Sequence, residues 1–116
     1  MARATLSEEA KLDLAEIREY SLGQFNRAIT KEYLSNMRQT IKRLADYPAI
    51  GEDKSDELWP GVLCFPYMSH NLYFIEVMGG ISVIGIIHQS RLPKVLLKRQ
   101  PGLSDEAIKE TKTSSV

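Results

Sequence analysis

The apolar pattern changes period once along this chain, and that switch limits the folds open to it. Up to about residue 47, apolar residues recur every three or four positions; from residue 62 they fall in short runs rich in β-branched and aromatic residues. Ser7 holds an N-cap position, with Glu8 and Glu9 in the first turn, where the helix dipole favours acids. Ala10, Leu14, Ile17 and Ser21 then share one helical face, and Gly23 is placed to end the helix. Leu34, Met37, Ile41 and Leu44 make a second stripe, widened by Tyr33 and Ala45, on a helix from about Asn26 to Asp46. Tyr47-Pro48 stops that helix, because a residue before proline avoids the helical region. Two such helices joined by a short link form an antiparallel hairpin, and their stripes need a flat surface to bury against.

The second half supplies that surface. Residues 62–68 (VLCFPYM), 70–78 (HNLYFIEVM) and 81–88 (ISVIGIIH) read as strands, with RATL at 3–6 as a short leading strand. Pro66 cannot donate to a ladder, so its strand is an edge or is bulged there. Gly79-Gly80 reads as a two-residue hairpin turn. That turn sets Ile75 against Ile84, Tyr73 against Ile86 and Asn71 against His88 on one face. Phe74 against Gly85, Leu72 against Ile87 and Glu76 against Val83 fall on the other. The first face is expected to carry the helices. The second, holding Glu76, is left to the tail or to a partner. His70 and His88 should point to opposite faces. The expected fold class is α+β: a short N-terminal strand and an antiparallel helical hairpin packed on a three-to-four-stranded antiparallel sheet. One domain over residues 1–100 and a polar tail over 101–116 complete the expected layout.

Composition narrows the function. The chain has 116 residues, 43% of them hydrophobic, enough for one core without a staple. A single cysteine, Cys64, excludes a disulfide scaffold, and no run is long and apolar enough to span a membrane. The start MARATLSEEAK lacks a signal-peptide core, so a cytoplasmic setting is expected. Lys+Arg and Asp+Glu are 15 each, which argues against a dedicated DNA-coating protein and against direct sequence-specific nucleic-acid binding. The layout is less even. Arg91, Lys94, Lys98 and Arg99 crowd into RLPKVLLKR, with Glu76 the sole acid between residues 61 and 100. Such a patch suits an acidic partner or serves as a solvated chain end.

Little else carries chemistry. Two histidines and one cysteine without carboxylates at ligand spacing hold no metal, and no glycine loop cradles a phosphate. No cofactor and no catalytic residue is expected. Cys64 reads as a buried small hydrophobe and Trp59 as a lid over a core edge.

The order of elements and certain residues resemble the ParE toxins of bacterial toxin–antitoxin modules, within the RelE/ParE superfamily. The matching pieces are LSEEAKLDLAEIREYSLGQF, then Ala28 and Tyr33, then Leu44, Pro48 and Gly51 in an LxxxPxxG pattern. Gly61, Phe65, the strand HNLYFIEV and ISVIGIIHQSR with its strand-ending His88 follow. The likeness spans about residues 4–93. It implies a toxin neutralised by a cognate ParD-like antitoxin and acting on DNA gyrase by binding. Target contacts would then lie at His88, Arg91, Lys94, Lys98 and Arg99. A groove beside the hairpin and the edge strand, with Phe65, Tyr67, Leu72 and Phe74, would take the antitoxin. RelE-type relatives instead cleave mRNA on the ribosome, using cations plus a tyrosine or similar acid–base group near the C-terminus. Here no tyrosine follows Tyr73, and cleavage needs both a base and an acid, so the gyrase branch is expected ahead of the ribonuclease branch. A decayed module without a target is the third alternative.

Overall fold

The computed structural model describes residues 2–100; the expected 101–116 tail lies outside the described residues. Strand β1 (Arg3–Leu6) leads into helix α1 (Glu8–Gln24) and helix α2 (Arg27–Asp46). A short 3-10 turn (Pro48–Ile50) and a two-residue strand, β2 (Glu52–Asp53), precede β3 (Leu63–Tyr67), β4 (His70–Val77) and β5 (Gly80–His88). A 3-10 segment, Pro93–Arg99, follows and is called the strap below. A helical hairpin packed on a sheet is as expected, but the sheet is larger than the expected three to four antiparallel strands. The sheet has five strands, in the order β1-β5-β4-β3-β2. It is mixed, because β1 runs parallel to β5 while the other pairs are antiparallel.

Local chemistry explains the helix ends. Ser7 Oγ accepts from Ala10 N–H at 3.1 Å, and Asn26 Oδ1 accepts from Ile29 N–H at 2.8 Å, so both helices start on side-chain caps. Gly23 does not end α1. The helix runs on to Gln24, and Phe25 N–H closes on Ser21 carbonyl. The buried hydroxyls of Ser21 and Thr30, 2.7 Å apart, then tie the two helices together.

The β4–β5 hairpin departs from its expected register in two places. Val77 pairs with Gly80, so Met78 and Gly79 form the turn, and Gly79 takes the positive φ of 84°. Gly80 is glycine for another reason: a Cβ there would run into the backbone carbonyl of Arg3 on β1. Tyr73 then pairs with Gly85 and Phe74 with Val83, which leaves Ile84 as an extra residue in a bulge. The moved turn slips the pairing by two residues and keeps each pair on its expected face, whereas the bulge turns Gly85 to His88 over relative to β4. The helices cover the face opposite to the one expected. Leu72 and Phe74, with Ile81, Val83 and Ile86, lie under Met37, Ile41, Leu44 and Ala45 of α2 and Ala10 of α1. Tyr73 and Ile75 lie on the opposite face. Glu76 shares the helix-bearing face but stands exposed beside the turn. Its charge misled the face assignment, because a strand end can keep a carboxylate wet on either face.

The second face is sealed by irregular chain. Trp59, Val62, Cys64, Tyr73, Ile84, Ile87 and Leu96 form a second buried cluster, with Trp59 acting as the expected lid. Leu96 of the strap is fully buried and packs where a Cβ on Gly85 would collide with it. Burial pushes the Tyr73 phenol up to about 12 and raises the Cys64 thiol above its ordinary value.

The strap also closes a sheet edge. β1 covers β5 only from Gly80 to Val83. Beyond it, Ile86 N–H donates to Asp13 Oδ2 at 3.0 Å, and Arg99 Nη1 donates to Ile84 carbonyl at 3.1 Å. Arg99 and Asp13 meet through two bonds of 2.7 and 3.1 Å. Their side chains are only 14% and 13% exposed. An ion pair thus stands in for the strand that would otherwise cover β5.

Candidate partner and target surfaces

The mouth of the β4–β5 hairpin gathers three polar rings that the sequence pattern had separated. His70 pairs directly with His88 across the ladder, so both lie on the helix-bearing face, with ring centroids 5.2 Å apart at 84°. The expectation of opposite faces fails because the bulge at Ile84 shifts the pairing by one residue beyond it. Tyr33 of α2 reaches down, its hydroxyl 2.7 Å from His70 Nδ1. Tyr67 Oη donates to Tyr33 carbonyl at 2.8 Å and holds that tyrosine in place. Ser90 N–H donates to His88 Nδ1 at 3.1 Å, so neutral His88 carries its proton on Nε2. Burial, then the neighbouring charge of His88, holds His70 below its ordinary pKa.

A groove of about 250 Å³ opens from this cluster between the helices and the sheet. Ile17, Tyr20, Phe25, Ile29, Tyr33 and His70 line it. Tyr20, Phe25 and Ile29 are 69%, 55% and 48% exposed, a dense apolar patch for one hairpin end. Met68 is exposed too, at the β3–β4 turn, with a φ of 52°. The sequence stripes count inward positions, so Tyr20 and Phe25 went unnoticed. The outward apolar residues of α1 were the available signal.

The residues proposed from sequence separate by environment. Leu72 and Phe74 are fully buried beneath the helices, and Tyr67 is buried with them; Phe65 is half-buried on β3. His88, Arg91, Lys94 and Lys98 are exposed around the end of β5 and along the strap. Arg99 is not: it is occupied by Asp13 and Ile84. A second groove, lined by Glu16, Ile17, Tyr20, Ser69, His70, His88 and Arg91, joins the histidines to Arg91. Among the described residues no group of three or more metal-ligating side chains comes together. No described helix is long and apolar enough to cross a membrane.

The fold and these surfaces now meet a family. A family model described as the ParE toxin of the type II toxin-antitoxin system, parDE, matches residues 4–93. The chain belongs to the ParE toxin family. Among solved structures it is similar to one titled "Chromosomal ParDE TA system from P. aeruginosa", with 17% identity and a TM-score of 0.64. The match covers 76% of this chain and 96% of that one, and at this identity it speaks for the fold. No curated protein sequence matches.

Proposed function

We propose that this chain is a toxin that blocks DNA gyrase by binding it and is held inactive by a cognate ParD-like antitoxin. The observation that carries the target half is the exposed cationic group Arg91, Lys94 and Lys98 beside His88, free of carboxylate partners among the described residues. Gyrase and its DNA present acidic surface to such a patch. The antitoxin half rests on the apolar groove at Tyr20, Phe25 and Ile29, which an extended or helical arm would cover. Leu72 and Phe74 contribute from below, as the floor that holds the helices in place, and Tyr67 does so through Tyr33.

The ribonuclease reading draws on Tyr33, His70 and His88, an acid–base set assembled from α2, β4 and β5. Their spacing weakens it. In-line displacement at phosphorus places the base and the acid on opposite sides of the phosphate. The two imidazoles instead lie edge-to-face in contact, which leaves no room for a phosphate between them.

The test uses the full chain with Arg91, Lys94 and Lys98 replaced by glutamine and Arg99 kept, since Arg99 holds the strap. Supercoiling inhibition and growth arrest should both weaken while the melting temperature stays put. Undiminished inhibition would refute the target assignment. Cleavage of RNA by the wild type, lost in His70→Gln, would replace it with the ribonuclease reading. For the other half, Phe25→Glu with Ile29→Glu should abolish co-purification with the co-expressed antitoxin; an intact complex would move the antitoxin elsewhere.

A further inference from the structure

A cationic groove lies between the helices, separate from the histidine groove, and no residue of the sheet lines it. Arg18 of α1 and Arg27, Lys31 and Arg38 of α2 surround it, with Thr30 and Ser35 between them. Its volume is about 620 Å³. All four cations are exposed, no acid lines the groove, and none of the four makes an ion pair among the described residues. In a chain of zero net charge, this is a concentration of one sign. Such a cleft focuses potential on an anionic partner.

We propose that this groove binds the phosphodiester backbone of duplex DNA. Three of the four cations are arginines, whose planar forks match phosphate oxygens in pairs. From Arg27 to Arg38 the helix advances about 16 Å, a length over which a duplex presents roughly nine or ten phosphates. No aromatic side chain lines the groove, so a single strand finds no platform on which to stack its bases. An acidic peptide is the poorer fit. It would need apolar anchor sites, and of the two leucines in the lining, Leu34 is buried and only Leu22 is open. Binding through phosphates alone carries no sequence preference. The choice of duplex DNA rests on the gyrase reading, since gyrase holds such a duplex beside any bound inhibitor.

The test is fluorescence anisotropy with a labelled duplex of about 30 base pairs and arbitrary sequence, titrated with the full chain and without gyrase. Four phosphate contacts predict an affinity that falls about 100-fold between 50 and 200 mM salt. Replacing Arg18, Arg27, Lys31 and Arg38 together by glutamine should abolish binding, whereas the Arg91, Lys94 and Lys98 variant should retain most of it. If the fourfold variant misfolds, Arg18→Gln and Arg38→Gln singly should each lower the salt slope by about one. No binding at 50 mM salt, binding that survives these changes, or tighter binding of polyglutamate or single-stranded RNA than of the duplex would overturn the proposal. Because gyrase is absent, such a failure leaves the gyrase reading standing.

Discussion

The two faces of one sheet are sealed by different means. On the helix-bearing face, α1 and α2 lay regular stripes across Leu72, Phe74, Ile81 and Val83. On the other, an irregular loop brings Trp59 and Val62, and the strap brings Leu96, over Tyr73, Ile84 and Ile87. The first seal is held by many apolar residues repeated along two helices. The second hangs on a few contacts: Leu96 against Gly85, and Arg99 on Asp13. A seal with few attachments opens locally at lower free energy than one built on long helices. The strap carries Lys94 and Lys98 as well, so the less tightly held face is the one that presents part of the proposed target surface.

That contrast is broken or kept most clearly by truncation on each side. Phe74→Ala removes the largest fully buried side chain and should cost about 3–5 kcal/mol in denaturant unfolding. Leu96→Ala should cost about 2–3 kcal/mol, toward the low end for a buried leucine, because the strap can partly collapse over the hole. The signature is local. Cys64 lies buried in the same cluster as Leu96, and it is the sole cysteine. Its alkylation under native conditions should accelerate in Leu96→Ala by more than the loss of global stability accounts for. Equal costs for the two substitutions, with Cys64 exposed only by global unfolding, would make the faces equivalent.

The ion pair is the next lever. Asp13→Asn leaves Arg99 poorly compensated in a largely buried site, and about 2–3 kcal/mol is expected, below the loss for a pair wholly shielded from water. Arg99→Gln should cost a similar amount. The double change should cost less than the sum, because the penalty is for a charge left without its partner. Gly85→Ala tests the same contact from the sheet side. Its Cβ meets Leu96 and, at 3.2 Å, Arg99 Nη1, so about 1–3 kcal/mol of overpacking is expected. Additive effects of Asp13 and Arg99 would mean that the strap is held by Leu96 alone.

The same contrast explains what was legible in the sequence. Leu34, Met37, Ile41 and Leu44 announce α2 because helical burial repeats with the helix, and all four are buried as the stripe requires. Trp59 and Leu96 have no period to betray them; Trp59 is recognisable only by its size, and Leu96 only as one of the apolar run Val95-Leu96-Leu97, which closes the core in one reading of the chain end. The register failed on a small cause. Gly80 looks like a turn residue, yet its missing Cβ answers to β1, a strand more than seventy residues earlier in sequence. The moved turn slips the pairing by two residues, which preserves the faces, and the bulge at Ile84 then turns Ile86 and His88 to the helix-bearing face, because side chains alternate with period two. The Tyr33–His70–His88 cluster was hidden by that bulge. Arg99 read as a free cation because nothing local reveals Asp13, 86 positions away in sequence.

The smallest expected effect is in pH, and it sets the helix-bearing face against the other from a third direction. His70 lies on that face, held by Tyr33 and opposed by His88, with Glu16 and Arg91 lining the same groove. Its folded-state pKa is lowered, first by burial and then by His88. The unfolded chain therefore takes up a proton near pH 6.5 while the folded chain resists until lower pH. Between those two values the unfolded form binds more protons, so stability falls as pH drops below about 6.5 and levels off beneath the folded value. Above that window this histidine contributes no slope. The residue is only half-buried, so water screens the effect, and the expected fall in melting temperature is no more than about 1–3 °C. His70→Gln should flatten the dependence. His88→Gln should only reduce it, since burial remains. Acid strain at His70 should loosen the hairpin mouth and leave Cys64 as slow to alkylate at pH 6 as at pH 7.5, once the thiolate fraction is corrected for. A Cys64 that opens in step with His70 protonation would show that the sheet transmits strain between its faces, and that the two seals act as one.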